Sequence, residues 1–281
     1  MKPKQPTDKK STNDTIIATL REIEKTHQVT ILYAVESGSR AWGFASKDSD
    51  YDIRFVYHHP LEWYISIEDK TDVIEHPMIG PLDICGWDIR KALALYKKSN
   101  PPLYEWLVSP IVYKERGTFA QQLRSLMPTY YAPIASIHHY LHMARGNYRQ
   151  YLQGSVVWVK KYFYVLRPIF ACMWIEHYSI QAPMAFITML ERLPLDENVR
   201  EEVWRLYERK KLGEELDKGN RIAVLNDFVD EKIQYFEKYA QEIKPERKIK
   251  LDPSRLDRIL YDTLNQTPWS RLRLHSKENI C

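Results

Sequence analysis

The pattern of apolar and polar positions divides the chain into a front part with strand periods and a back part with helical ones. Ile16, Leu20 and Ile23 recur on one helical face. Ser11, Thr12, Asn13 and Asp14 offer several caps for that helix, so its start stays open, while its end falls near residues 25–27. Residues 29–35 form a β-rich apolar run bounded by Ser37-Gly38-Ser39 and read as the first strand. Residues 51–57 read as the second, closed by His58, His59 and Pro60. A short helix over 61–67 and a strand over 72–76 follow. Gly80-Pro81 then turns the chain into the short strand Leu82-Asp83-Ile84-Cys85. Asp88 is a good cap for a helix carrying Ile89, Ala92, Leu93 and Tyr96, Asn100-Pro101 opens another that runs to Leu107, and residues 111–113 make a last short strand.

After Gly117 the strand signal fades. Helices are expected over 119–126, 134–152, 156–177, 183–193, 197–211 and 222–241, the third containing Pro168, which should kink or split it. This change in period places a domain boundary at 116/117. The expected domains are 1–116, with a polar, disordered lead over the first ten residues, then a helical domain over 117–244, then 245–281. That last segment holds a charged linker entered through Lys244-Pro245 and a short helix over 254–264.

Composition narrows this picture only a little. At 281 residues with 44% hydrophobic content the chain can build a proper core. No apolar run approaches the 18 or so residues of a membrane span, and the start, MKPKQPTDKKSTNDT, has no apolar signal-peptide core, so a cytoplasmic protein without membrane contact is expected. Cys85, Cys172 and Cys281 lie far apart with no C-x-x-C and read as free thiols. A net charge of +4 is mild for a nucleic-acid coating protein, although a local basic groove is compatible with it. The many rings, 8 Trp and 19 Tyr, could supply base-stacking platforms, but most are read as core or rim, including those around Trp158 and Trp174.

The candidate chemistry gathers in VTILYAVESGSRAWGFASKDSDYDIRFV. Strand side chains alternate faces, so Asp50 and Asp52 point the same way with Cα atoms about 7 Å apart. Asp83 interrupts an apolar strand, where an acid is costly unless it faces a cleft or a cation, which makes it the natural third ligand. Three such carboxylates can hold two divalent ions as in-line phosphoryl chemistry requires, and Mg²⁺ (or Mn²⁺) suits an all-oxygen donor set. Gly38 before Ser39 lets backbone N–H groups approach a triphosphate at a helix start.

Gly38-Ser39, Asp50-Tyr51-Asp52 and Leu82-Asp83-Ile84 together resemble the G-S, D-x-D, h-D-h pattern of DNA polymerase beta superfamily nucleotidyltransferases. The longer strings GSRAWGFASKDSDYDIRFVY, LDICGWDIRKAL and SNPPLYEWL resemble the predicted nucleotidyltransferases associated with bacterial RNA repair. The resemblance implies an α/β or α+β fold, with a small mixed sheet nucleotidyltransferase domain followed by an all-helical domain. It implies that Asp50 and Asp52 bind two metal ions, that Asp83 binds the ion activating the acceptor hydroxyl and helps remove its proton, and that Gly38 and Ser39 hold the β and γ phosphates of ATP or another nucleoside triphosphate. An RNA end is the acceptor it points to. A protein hydroxyl, a small molecule, or a regulatory module that binds nucleotide without turnover are the rivals.

Weaker signals surround this set. Lys160, Lys161, Tyr164 and Arg167 lie within about two helical turns, the last three at i, i+3 steps, and could close over triphosphate and base or simply form a solvated basic face. Arg40 could contact phosphate or pair with a nearby acid. Asp48 reads as a turn or cap residue, Lys97 and Lys98 as helix-end cations, and His138 with His142 as helix-surface residues rather than a zinc pair. Nucleotide base and oligomeric state are not legible.

Overall fold

The structure, a computed structural model, describes residues 9–214, 216–243, 252 and 254–265. The first eight residues of the expected polar lead, the Lys244-Pro245 linker and Cys281 lie outside them. The front part runs α1 (Lys9–Thr26), β1 (Thr30–Ser37), α2 (Gly38–Ala41), β2 (Tyr51–His58), α3 (Leu61–Tyr64), β3 (Val73–Ile79), β4 (Leu82–Asp88), α4 (Ile89–Lys97), α5 (Pro101–Leu107) and β5 (Val112–Glu115). Its five strands form one mixed sheet in the order β3-β4-β2-β1-β5, in which β2 and β4 are parallel and the other neighbours antiparallel. Asp88 caps α4 by accepting from Arg90 N at 2.8 Å, and Asn100 caps α5 by accepting from Leu103 N at 3.3 Å, both as their positions before apolar periods imply. Gly80 takes φ +59°, the left-handed geometry that joins β3 to β4.

Both faces of the sheet are covered, which is why β1 reads as an unbroken apolar run. Ile16, Leu20 and Ile23 of α1 pack on one face with Ile31, Ala34, Ile53 and Phe55. The other face, with Leu32, Tyr33, Val35 and Val56, receives α4 and α5. It also receives α6 (Phe119–Tyr130) and α12 (Ser254–Asn265), so two helices from beyond Gly117 share the core of the sheet.

The remaining elements are α7 (Pro133–Tyr151), β6 (Val156–Trp158), α8 (Lys161–Tyr178), α9 (Phe186–Arg192), α10 (Glu197–Lys211), β7 (Lys218–Asn220) and α11 (Ala223–Glu242), and their helices surround a second core. Two local expectations change here. The helix expected over 156–177 begins only at Lys161, because Val156–Trp158 pairs antiparallel with Lys218–Asn220 in a small ribbon. Pro168 neither splits nor ends α8, which is continuous through it. No helix among the described residues is long and apolar enough to cross a membrane.

The two cores are tied together by the segment between α2 and β2. Phe44 leaves the sheet side and stacks on Phe163 of α8 at 5.0 Å between centroids, with Phe186 edge-on at 5.7 Å. Phe186 N donates to Trp42 O at 2.9 Å and Tyr207 Oη to Gly43 O at 3.3 Å. Burying one phenyl ring in this way is worth about 1.5–3 kcal/mol, which anchors the loop ahead of Asp50 to the helical half.

Candidate active site

The sheet contributes the acidic wall. β1 ends at Ser37, directly opposite Asp52 on β2, and Gly38 turns the chain with φ +59° into α2, where Ser39 is buried. A Cβ built on Gly38 would lie 2.8 Å from Asp52 Cγ, so only glycine lets the turn pass this closely to the carboxylate. Asp52 in turn lies beside Asp83 in the parallel β2–β4 pair, and Asp50 stands exposed just before β2. Glu36, fully buried, fixes the backbone here: its Oε1 accepts from Asp52 N at 2.7 Å, and its other oxygen accepts from Tyr113 Oη. Burial raises the Glu36 carboxyl above its usual range, opposed by the Tyr113 hydrogen bond.

Arg54 completes this wall. Its Nη2 donates to Asp83 Oδ2 at 2.7 Å and to Asp52 Oδ1 at 3.4 Å, and Nη1 donates to Asp83 O at 3.1 Å. Burial raises the Asp52 carboxyl; Arg54 pulls it down, and the charges of Asp83 and Asp50 push it up again. Among the described residues no three His, Cys, Asp or Glu side chains are gathered closely enough to hold a metal ion. The donor set nevertheless fits a hard divalent cation in its chemistry. Asp50, Asp52 and Asp83 offer carboxylate oxygens alone, Asp52 carries a repulsion that positive charge relieves, and a guanidinium already lies between two of the three.

The helical half supplies the opposite wall. Ser39, Asp50, Asp52, Lys160, Lys161, Tyr164 and Lys210 line a cavity of about 400 Å³. The nearness of Asp52 and Asp50 adds to burial in raising the Tyr164 hydroxyl. Lys161 lies 4.6 Å from the Tyr164 ring and 4.4 Å from that of Tyr151, and burial and Lys160 both lower its ammonium. Lys210 of α10 sits 5.3 Å from the rings of both Phe44 and Phe163. Burial, then Lys160 and Lys161, bring it down to about 8. Among the described residues no acid pairs with any of these three lysines.

Six of the expected residues therefore meet in one cavity, with Gly38 beside it. Asp83 is reached through Asp52 and Arg54 on the sheet. Arg40 is engaged by the protein: Nη2 donates to Ser49 O at 2.6 Å, Nε to Asp50 O at 3.0 Å, and the guanidinium stacks 3.6 Å over Tyr51. It braces the loop that presents Asp50. Asp48, read as a turn residue, lies in the Ser46–Ser49 turn and on the cavity rim. Arg167 leaves the basic face: it is buried and paired with Glu105 at 2.9 Å, its guanidinium 4.3 Å from the Trp42 ring. His138 and His142 lie exposed on α7, and Trp174 is buried, but Trp158 is not.

Three site residues escaped the reading of the sequence. Arg54 continues the Asp50, Asp52 alternation by two and was legible on that ground. Glu36 ends an apolar run and carried the same signal of an acid in a buried strand as Asp83. Lys210 sits in the run Arg209-Lys210-Lys211, and nothing local marks it as the inward one.

A mixed sheet carries a Gly-Ser turn, an Asp-x-Asp strand start and a third aspartate on the adjoining parallel strand, and a lysine-bearing helical half faces it, an arrangement in keeping with the nucleotidyltransferase-like family of the polymerase beta superfamily that the family match assigns. The chain belongs to the RNA repair pathway DNA polymerase beta family, RlaP, whose model matches residues 12–262. It is 51% identical over 251 residues to the uncharacterized protein YcgL of Bacillus subtilis (strain 168), a match covering 89% of this chain and 96% of that protein. Among solved structures it is similar to a nucleotidyltransferase-like protein from Exiguobacterium sibiricum 255-15, with 12% identity, a TM-score of 0.28 and 88% of each chain covered.

Proposed function

We propose that this protein transfers a nucleoside monophosphate from a nucleoside triphosphate, ATP or another, to the 3′ hydroxyl of an RNA, releasing pyrophosphate. The observation that carries this reading is the cavity itself, which sets Asp50 and Asp52 against Lys160, Lys161 and Lys210. A metal-bound triphosphate answers both walls at once, its phosphates facing the ammonium groups and its cations the carboxylates.

In this reading the backbone at Gly38 and the Ser39 hydroxyl hold the β and γ phosphates, and Lys161 and Lys210 neutralise the charge that builds on the departing pyrophosphate. Tyr164 offers its ring to the base. The acceptor oxygen attacks the α phosphorus, its bond to the bridging oxygen of the β phosphate breaks, and Asp83 takes the acceptor proton. Asp50, Asp52 and Asp83 would hold two Mg²⁺ or Mn²⁺ ions, which would supply charge neutralisation and acidify the acceptor hydroxyl. Glu36 keeps Asp52 in register throughout.

The test is a screen of the four labelled triphosphates with Mg²⁺ or Mn²⁺ against RNA oligonucleotides of different 3′ ends. Wild type is expected to label RNA, and Asp50→Ala to lower the rate by about 10³-fold or more. Equal labelling of RNA, protein and small-molecule pools by both proteins would overturn the assignment. So would nucleotide-dependent stabilisation of the fold without any pyrophosphate, the signature of a binding module.

A further inference from the structure

We infer that the outward face of the β6–β7 ribbon is the platform on which the single-stranded 3′-terminal segment of the acceptor RNA lies as it enters the cavity. The inference rests on the reading of the acceptor as an RNA end and adds where that RNA is held. Alternation along the strand decides the face. Val157 and Val159 are buried in the helical core, whereas Val156 and Trp158 point out, the indole 37% exposed. Lys218 stands directly opposite Trp158 in the antiparallel register, and its Nζ lies 5.2 Å from the indole. Lys160 Nζ approaches the same ring to 5.4 Å.

A large ring left more than a third exposed under two ammonium groups is an arrangement that a folded core does not require. A single strand of nucleic acid asks a protein for a face on which an unstacked base lies and for cations that reach the adjoining phosphates; here both ammonium groups lie over the ring, so a base stacks on it by displacing one of them toward a phosphate. Asp217 precedes Lys218 in the chain and lines the same cavity as Lys160, so the ribbon's charge is locally positive but not isolated from acids. Glu214 is committed to Arg209 at 2.7 Å, and among the described residues neither Lys160 nor Lys218 has an ion pair. Lys160 also lines the cavity, so the ring and the triphosphate site share a residue. A strand stacked on Trp158 therefore ends next to the place where its 3′ hydroxyl would react.

Binding of a short fluorescein-labelled single-stranded RNA, followed by anisotropy at several salt concentrations with neither triphosphate nor divalent metal present, tests this directly. Trp158→Ala is expected to weaken binding about tenfold and Trp158→Phe much less, because any aromatic face can stack a base. Lys218→Ala is expected to reduce the slope of log affinity against log salt by about 0.7, the loss of one phosphate contact on a single strand. Thermal melting of the three variants checks that each is folded; Trp158→Phe and Lys218→Ala carry the test if the alanine variant is not. Unchanged affinity in all three overturns the inference, as does duplex RNA competing as well as the single strand, or transfer to protein while Trp158→Ala leaves RNA affinity intact. The titration contains no triphosphate. Loss of RNA binding at Trp158 in a protein that transfers nothing thus sinks the proposed reaction alone, and transfer to RNA with affinity indifferent to Trp158 sinks this inference alone.

Discussion

Arg167 and Lys210 are both nearly sealed from solvent, at 1% and 7% exposure, and both lie against aromatic rings of the helical half. Around Arg167 the charge is answered from within. Glu105 of α5 accepts from Arg167 Nη1 at 2.9 Å, from Tyr140 Oη at 2.6 Å and from Trp42 Nε1 at 3.4 Å, and this network joins α5 and the α2 end of the sheet to α7 and α8. Lys210 lies over two rings but has no ion pair among the described residues, and the charges that shift its ammonium are two more lysines. The seam answers its own charge, with only Arg167 Nε of the charged pair left without a hydrogen bond among the described residues. In the proposed reading the cavity wall awaits an anion, since a buried cation without a partner is costly unless something from outside supplies the countercharge. Burial alone therefore does not separate a structural charge from a functional one; the state of its partners does.

Three experiments bear on this contrast. The largest effect is expected at the seam. Arg167→Met should lower unfolding free energy by about 3–5 kcal/mol in urea titrations, because Glu105 would be left buried without its cation. Adding Glu105→Gln to it should recover part of the loss, and a double change as damaging as the sum would mean the two groups do not act as a pair.

Lys210→Met should behave in the opposite way. Stability is expected to stay within about 1 kcal/mol of wild type or to rise, since an apolar side chain of similar length replaces an unpaired ammonium. Triphosphate affinity, measured by calorimetry, should fall about tenfold to a hundredfold through loss of charge-assisted contacts. A Lys210→Met protein as unstable as Arg167→Met would erase the distinction between the two sites.

The smallest effect is a pH dependence. Lys210 is held at about 8 in the folded chain, against an ordinary 10.5, so it is charged below about 8 and neutral above. Triphosphate affinity should therefore be highest below pH 8 and decline as pH rises through it, with Lys210→Met flat over the same range. The linkage to stability runs the other way. Between about 8 and 10.5 the unfolded chain binds a proton that the folded chain does not, so this residue's contribution to stability grows with pH across that window. An affinity that rises through pH 8 would contradict the assignment.

Much of the candidate site was legible before the fold because its signals are local. Asp50 and Asp52 share a face through a two-residue period, Gly38 is demanded by a turn, and Asp83 is conspicuous as an acid among apolar neighbours. The sheet and most helices followed from the same kind of period. The ribbon did not, since strands of three residues are too short to declare one and Val156–Trp158 could be appended to the helix that follows. Trp158 was read with the other rings as core or rim rather than a base platform, and its exposure emerged only with its pairing to Lys218.

What the amino-acid sequence by itself determined is the chemistry on offer: three carboxylates, a glycine turn, and lysines on helices further along. What only the tertiary structure decided is which charges face one another. Arg54 meets Asp83 because β2 and β4 run parallel in register, and Arg167 goes to the seam because Glu105 is there to receive it. Lys210 lines the cavity with its ammonium 5.3 Å from Phe44, carried across from the sheet side, and from Phe163, on which Phe44 stacks. These are contacts between residues far apart in the chain. Their energies depend on distance and burial in the folded state, and no local period records either.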